Sequence, residues 1–295
     1  MSFTKSVALY NYLLKNHHRR VAVISFHIGK AYGLNEEQLS NLVIAAALHD
    51  IGALTVSEKD DVMEKTISKS LTVELDMNLL EQFAYTISKI IDCRSSFTIS
   101  HSFSVSAVAY KIAEFLNYSE EKKRELRVAG LLHDIGKITI PSELIEKNGK
   151  LTPAERTNVQ AHAYYADVIL KDLDRLDGIT NWAAHHHENH DGSGYPENLT
   201  SKNISEEMDI LAYADIYTAL SEDRPYRVGL SQEEISVILK EQLKEKHGKK
   251  IYHIIIDHLP AIDEVCKSAI RDGINRFEIY EEVARKYEAE EPGSA

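Results

Sequence analysis

One short stretch of the sequence is rich in side chains that bind metals. Residues 185–196 read HHHENHDGSGYP, with three consecutive histidines, a glutamate and a glycine-rich turn. This composition suits neither the interior of a helix nor that of a strand. Imidazole nitrogens and carboxylate oxygens do suit a borderline or hard divalent cation. The stretch is therefore a candidate to fold over a metal site.

A second candidate chelating pair is His133 and Asp134, in the segment LRVAGLLHDIGK. Leu126, Ala129 and His133 follow a helical period, which predicts that His133 points inward near a helix end, with Gly136 as the stop. Asp134 lies about 100° further round the helix and reaches the same space. An isolated pair of this kind is more often a buried histidine beside a capping aspartate than a metal site.

Further polar residues at inward positions favour the metal interpretation. Three lie on the apolar stripes of separate predicted helices, namely His101, His162 and Asp215. A buried carboxylate without a partner is costly, so Asp215 needs a cation or a metal. Together with His186 and His187, these groups satisfy one another only around bound cations.

The elements that carry these residues are predicted to be helices. The 295 residues include only 13 glycines and 6 prolines, and apolar residues recur at helical spacing across 101–115 and 206–222. Thr152, Pro153 and Glu155 form a capping box with proline at the first helical position. Alternation typical of strands is not sustained, so the expected fold class is all-α.

The helical unit occurs twice in the sequence. With a shift of 84 residues (133 − 49 = 84), residues 17–54 align without gaps to 101–138, and 12 of 38 positions are identical, HDIG included. Duplication explains this better than chance, which gives about two or three identities. The first copy has Ala53 where the second has Lys137, and no histidine follows its HDIG before His101. We interpret it as a degenerate copy with a structural or regulatory role.

Composition limits the classes of partner. A formal net charge of −12 argues against a general DNA or RNA binder, although bound cations still allow a small anionic substrate. No apolar run is long enough to span a membrane, and the first residues do not resemble a secretory signal. With only Cys93 and Cys266, neither a disulfide framework nor a zinc–thiolate site is expected. The predicted location is cytoplasmic.

Three motifs follow one another in an order that resembles the HD-GYP family. They are HDIGK at 133–137, HHENHDGSGYP at 186–196 and DIYTALSEDRPYR at 215–227. HD-GYP proteins are metal-dependent phosphodiesterases of the HD superfamily that hydrolyse cyclic dinucleotides, chiefly cyclic di-GMP, in bacterial second-messenger signalling. The resemblance covers about residues 96–245 and implies a helical HD-domain bundle.

The resemblance also implies a tandem organisation. The segment 1–90 resembles only a degenerate HD domain. We therefore expect a degenerate HD-like helical domain at 1–88, an HD-GYP catalytic domain at 89–290 and a disordered tail at 291–295.

Matching positions imply the metal ligands. They are His101, His133, Asp134, His162, His186, His187 and Asp215. Asp134 is expected to bridge two ions, and His187 matches a position that often serves a third. Family members with three ions have a glutamate four residues before the first histidine, where this sequence has Phe97, so two ions are expected. Nitrogen and oxygen donors suit Fe, Mn, Ni, Co or Zn, and the resemblance favours iron or manganese.

Two ions held in this way would activate a bridging hydroxide near neutral pH. Asp134 and Lys137 are the expected catalytic residues, with Lys137 holding the phosphate or assisting the leaving group. Arg224 and Arg227 supply fixed positive charge for the other phosphate, unless RPYR is merely a solvated turn. Tyr195 either hydrogen-bonds the substrate or packs the loop.

The expected reaction is hydrolysis of cyclic di-GMP to linear pGpG, with little further cleavage to GMP. The same chemistry on 3',3'-cyclic GMP-AMP is one alternative, and a regulatory protein that binds a cyclic dinucleotide with little turnover is another. A nucleotidase of the wider HD superfamily is a weaker alternative, because generic HD enzymes lack the HHExxDGxGYP loop. A homodimer or a signalling partner would use the N-terminal domain.

Overall fold

The structure is a computed structural model and describes residues 76–92, 99–147, 149–171, 176–223, 227–243 and 246–290. The chain divides into two compact units, one made of 1–74 with 284–295 and the other of 75–283. Almost all of the first unit, including the first copy of the repeat, lies outside the described residues. The predicted domain boundaries at 88 and 290 stay predictions, as does the disordered tail.

The described residues are helical. The helices in chain order are α1 Met77–Asp92, α2 His101–Phe115, α3 Glu120–Leu132, α4 Ser142–Ile145, α5 Pro153–Leu170, α6 Asp177–Ala184, α7 Glu206–Ser221, α8 Gln232–Ile238, α9 Lys249–Asp257 and α10 Leu259–Glu290. A 3-10 turn, Ile135–Thr139, follows α3, and a π-helical turn, Leu239–Leu243, follows α8. The described residues contain no strand, and Asp191 forms an isolated antiparallel bridge with Thr200. The all-α prediction is confirmed.

Side-chain caps fix where the site-bearing helices begin. In the predicted capping box, the amide of Glu155 donates to Oγ1 of Thr152 at 3.3 Å, and the amide of Thr152 donates to Oε2 of Glu155 at 2.7 Å. This box is confirmed at the start of α5. The hydroxyl of Ser205 accepts from the amide of Met208 at 3.3 Å and starts α7. Each cap contributes about 1 kcal/mol to helix stability.

Helices α2, α3 and α7 build the core beside which the polar residues lie. Helix α2 packs against α3 and α7, and α6 packs against α5 and α3. The buried side chains of the three central helices include Val105, Val108, Ile112, Leu126, Ala129, Leu132, Leu211, Tyr213 and Tyr217. Burial of each large apolar side chain contributes about 1.5–3 kcal/mol, so these helices are held firmly relative to one another. None of the helices in the described ranges combines the length and the apolarity needed to cross a membrane.

The turn after α3 approaches α5 very closely. A Cβ added to Gly136 would lie 1.9 Å from the carbonyl oxygen of His162, a distance that no side chain tolerates. The helix itself ends at Leu132, with His133 in the capping position. Gly136 lies inside the following 3-10 turn, so the predicted helix stop at this position is wrong, and its lack of a side chain instead allows the HD segment to contact the helix that carries His162.

Candidate metal centre

Three histidines at the centre share one hydrogen-bond arrangement. Nδ1 of each ring lies 2.7 Å from the carbonyl oxygen three residues earlier, in the pairs His133–Gly130, His162–Val159 and His186–Ala183. A carbonyl only accepts hydrogen bonds, so Nδ1 carries the proton in all three rings. Nε2 is then left with a lone pair, which is the form that binds a metal.

The Nε2 atoms of these three rings are buried and have no hydrogen-bond partner among the described residues. The ring centroids of His133 and His186 lie 4.9 Å apart, and those of His162 and His186 lie 5.6 Å apart. Buried polar atoms are normally satisfied, so each exception requires an explanation. Bound cations would satisfy these atoms, and the donor set therefore fits a metal site.

Asp134 lies among these histidines and has its two oxygens on different sides. Oδ2 is 3.3 Å from Nε2 of His133 and 3.9 Å from Nε2 of His101, whereas Oδ1 is 3.5 Å from Nε2 of His162. Burial favours the protonated carboxyl, but Lys137 and His133 hold the pKa of Asp134 well below its usual range. The group is therefore an ionised carboxylate at neutral pH.

Helix α7 contributes a second carboxylate, Asp215. Its Oδ1 lies 3.1 Å from Nε2 of His101, and its Oδ2 lies 3.9 Å from Nδ1 of His187. Burial opposes ionisation of Asp215, but His101 keeps its pKa well below the usual range. The inward position predicted from the sequence is where the structure places this side chain.

His101 differs from the other three histidines. Its Nδ1 lies 3.0 Å from Oε2 of Glu222, a residue that immediately follows α7. Burial favours the neutral ring, but the carboxylates of Glu222 and Asp215 raise the pKa of His101 to about 10. Sequence reasoning missed Glu222, because a glutamate beside Asp223 and Arg224 resembles an ordinary solvated helix end.

Three further histidines at the centre, His162, His186 and His187, are neutral. Burial lowers the pKa of His162 and His186, and it lowers that of His187 to about 3. His187 lies against Tyr195, with 4.7 Å between the ring centroids. Neutral imidazoles beside ionised carboxylates are the protonation states that metal coordination needs.

The loop after His187 is held by a buried carboxylate. Glu188 accepts the backbone amides of Glu197 at 2.6 Å and Leu199 at 2.9 Å. Gly192 has a φ of 77°, a conformation that glycine adopts readily. Gly194 is needed for a different reason, because a Cβ there would lie 2.4 Å from the backbone of Glu188.

The predicted metal ligands come together in three overlapping groups. Their ligand atoms lie within 4.8 Å of one another in the sets His162, His186, His187; His101, His133, Asp215; and His133, Asp134, His186. All seven predicted ligands are included. Which ions they hold, and how many, stays a prediction.

The predicted substrate-binding residues differ in the contacts that they make. Nζ of Lys137 lies 2.5 Å from Oδ2 of Asp134. The guanidinium of Arg227 donates to the carbonyls of Leu220 and Ala219, both at 2.9 Å, so it caps the end of α7. Arg224 and Phe97 lie outside the described residues, and a substrate-binding role for Arg227 stays a prediction.

His185, which the sequence left without a role, contacts helix α6 and the loop. Its Nδ1 lies 2.8 Å from the carbonyl oxygen of Asn181, and its Nε2 lies 3.7 Å from the exposed carboxylate of Glu197. It is absent from the three groups of candidate ligands. Its contacts indicate a structural role.

Two family models of the HD domain match this chain. One matches residues 85–251 and the other residues 14–92. The second match covers the first copy of the internal repeat, so the tandem interpretation is confirmed.

Curated relatives resemble part of this chain. The chain is 36% identical over 201 residues to "3'3'-cGAMP-specific phosphodiesterase 3" of Vibrio cholerae, which is 68% of this chain and 40% of the relative. It is 37% identical over 134 residues to a cyclic di-GMP phosphodiesterase of Pseudomonas aeruginosa, which is 45% of this chain and 32% of the relative. The chain thus spans less than half of the length of either relative.

A solved structure also resembles the chain. It is Bd1817, described as an HDG"Y"P protein from Bdellovibrio bacteriovorus, with a TM-score of 0.47 and 16% sequence identity. The match covers 88% of this chain and 81% of that one.

Proposed function

This chain belongs to the HD-GYP family of HD-domain proteins, and we propose from this premise that it is a metal-dependent phosphodiesterase of cyclic dinucleotides. The observation that carries the proposal is the convergence of three buried Nε2 atoms on Asp134, from His133, His162 and His186. Each ring is already held in the ligand tautomer by a backbone carbonyl. The site is therefore preorganised for a cation.

Two ions fit these donors better than one. His162, His186 and His187 form one set of ligand atoms, and His101, His133 and Asp215 form another. Asp134 has Oδ1 on the side of His162 and Oδ2 on the side of His101, so it is suited to lie between the ions. Nitrogen and oxygen donors without thiolate suit several divalent ions, and we favour iron or manganese because of the resemblance to HD-GYP proteins.

The bound ions would supply an activated water and neutralise charge on the reacting phosphate. The side chains of the protein would hold the ions and contact the phosphate. Asp134 and Asp215 provide negative charge that holds the ions, and the buried histidines exclude bulk water from them. Lys137, whose side chain is 23% exposed, places an ammonium group at the edge of the centre, where it can contact a phosphate oxygen. Tyr195 borders the same space beside His187.

We propose cyclic di-GMP, opened to pGpG, as the first substrate to test. The mixed ring 3',3'-cyclic GMP-AMP is the second candidate, because a relative named for that specificity is 36% identical over 68% of this chain. We further propose that the protein acts in the cytoplasm. Dimerisation or a signalling partner through residues 1–88 stays a prediction.

The test uses anaerobically purified full-length protein. Its metal content is measured by elemental analysis, and the product from each ring is identified by mass spectrometry in a competition between equal concentrations. We expect a linear dinucleotide and bound divalent metal. Faster hydrolysis of 3',3'-cyclic GMP-AMP would show that this ring, and not cyclic di-GMP, is the preferred substrate. Binding of either ring without turnover would favour a regulatory protein.

A variant tests the ligand assignment. Asp134→Ala should remove both bound metal and turnover, because the ions lose their shared carboxylate. The matched control is Asp257→Ala, an exposed carboxylate at the end of α9, which should change neither. Turnover in Asp134→Ala would contradict the assignment.

A further inference from the structure

Glu222 contacts a candidate ligand through the nitrogen that faces away from the centre. Its side chain is buried, with 4% of the residue exposed, and so is that of His101, with 3% exposed. Oε2 of Glu222 and Nδ1 of His101 are 3.0 Å apart. An ionised carboxylate only accepts, so the ring donates the Nδ1 proton to Glu222. Nε2 of His101 is thereby directed at Asp215, 3.1 Å away.

His101 needs such a partner because of where it lies in its helix. The other three histidines donate to the carbonyl three residues earlier, and for each of them that carbonyl belongs to a helix. His101 is the first residue of α2, so the carbonyl three residues earlier is not part of that helix. The carboxylate of Glu222 accepts from His101 in place of such a carbonyl.

Helix α7 and the residue that follows it supply the two nearest carboxylates of His101. Asp215 lies on α7, and Glu222 immediately follows the helix, seven residues later, which corresponds to about two helical turns. Asp215 faces Nε2 of His101, and Glu222 faces Nδ1. The two carboxylates therefore hold the imidazole from its two sides.

We propose that Glu222 is a positioning residue for the metal centre: it fixes the tautomer and orientation of His101 and strengthens Nε2 as a ligand. A carboxylate is a stronger acceptor than a carbonyl, so it makes the imidazole more basic. His101 and Asp215 share one group of candidate ligands. The ion on their side is the one that Glu222 stabilises. This inference rests on the proposed metal centre.

The experiment measures metal binding, independently of turnover. Full-length protein, Glu222→Gln and Glu222→Ala are each stripped of metal and titrated with Mn²⁺, and bound ions per chain are counted by electron paramagnetic resonance. Loss of an outer-shell partner of a histidine ligand weakens metal affinity about 10–100-fold. We expect a loss in this range for Glu222→Ala at one of two sites, and a smaller loss for Glu222→Gln, whose amide oxygen still accepts from Nδ1.

The matched control is Asp263→Asn. Asp263 is a buried carboxylate on α10 that accepts from the hydroxyl of Tyr217 on α7 at 3.1 Å. The structure shows it beside α7 and gives it no contact with the candidate ligands. The Asp263→Asn substitution should lower the unfolding temperature of metal-free protein without changing its Mn²⁺ affinity. Equal Mn²⁺ loss in Asp263→Asn and Glu222→Ala would reduce Glu222 to a structural role and overturn the inference.

A double variant separates action through His101 from direct effects on the ion. In a His101→Ala background the positioned ring is gone, so adding Glu222→Ala should weaken Mn²⁺ binding no further. A further tenfold loss would contradict the inference. Wild-type protein that binds no Mn²⁺ would instead overturn the proposed function, whereas normal binding in every Glu222 variant would overturn this inference alone.

Discussion

Nζ of Lys137 lies 2.5 Å from Oδ2 of Asp134, three residues earlier in the chain. The 3-10 turn that begins at Ile135 sets this spacing. Asp134 is almost fully buried, whereas the lysine side chain is 23% exposed. The ammonium group therefore lies between the proposed bridging carboxylate and the solvent from which a phosphate would arrive.

Lys137→Met should impair turnover and spare metal binding. Methionine keeps the apolar stem and removes the charge that would stabilise the reacting phosphate. Loss of one such electrostatic contact lowers kcat by about 10²-fold. Initial rates with the preferred ring and elemental analysis measure both properties.

Lys147→Met is the control for this prediction. Lys147 pairs with Glu155 at 2.6 Å on the surface, so its removal should leave turnover within about twofold. Unchanged kcat in Lys137→Met would show that Lys137 does not contact the substrate, and loss of metal would show that Lys137 acts on the metal centre through Asp134.

Glu188→Ala should destabilise the loop that follows the histidines. The carboxylate accepts two backbone amides, from Glu197 and Leu199, and alanine leaves both without this acceptor. The expected loss in free energy of unfolding is about 2–4 kcal/mol, measured by urea denaturation of metal-free protein. Glu197→Ala, which removes an exposed side chain but keeps the amide, should cost less than about 0.5 kcal/mol. Equal losses in the two variants would contradict the prediction.

Much of the site could be predicted because its residues follow two local patterns, helical spacing and the capping box. Helical spacing placed His101, His162 and Asp215 on inward faces, and the structure brings all three to one centre. The capping box at Thr152 was readable for the same reason, since it depends on residues three apart.

Contacts between distant residues could not be predicted in this way. Glu222 meets His101 across 121 positions, and no periodicity in either segment indicates the pair. A phosphate-binding role for Arg227 stays a prediction, and the sequence did not indicate that its guanidinium donates to carbonyls at the end of α7. The geometry of a helix end decides that contact, and the residue type alone does not.

The buried pair His247 and Asp209 should make the stability of the protein depend on pH. His247 is buried beside Asp209, with its Nδ1 4.0 Å from Oδ1 of that carboxylate. Burial lowers the pKa of His247 from 6.5 to about 4. The unfolded chain thus takes up this proton at higher pH than the folded protein does. Stability contributed by the neutral ring is complete above about pH 6.5 and is lost as pH falls towards 4.

His247→Leu should therefore reduce the acid sensitivity of metal-free protein. Between pH 7 and pH 4 wild type should lose about 3 kcal/mol more than the variant, as measured by urea denaturation. Burial raises the pKa of Asp209, which acts in the opposite sense but is present in both proteins. His253→Leu, at an exposed position on α9, should keep the acid loss of wild type. An equal loss in His247→Leu would show that the ring is protonated in the folded protein.

Tyr195→Phe decides between the two roles open to Tyr195. Its ring packs 4.7 Å from that of His187 and 6.3 Å from that of His162. Phenylalanine keeps both contacts, so we expect kcat/KM within about threefold of wild type. Tyr195→Ala removes the ring, and an aromatic contact contributes about 0.5–1.5 kcal/mol, so kcat/KM should fall by up to about tenfold. If phenylalanine is as damaging as alanine, the hydroxyl binds the substrate and packing is the lesser role.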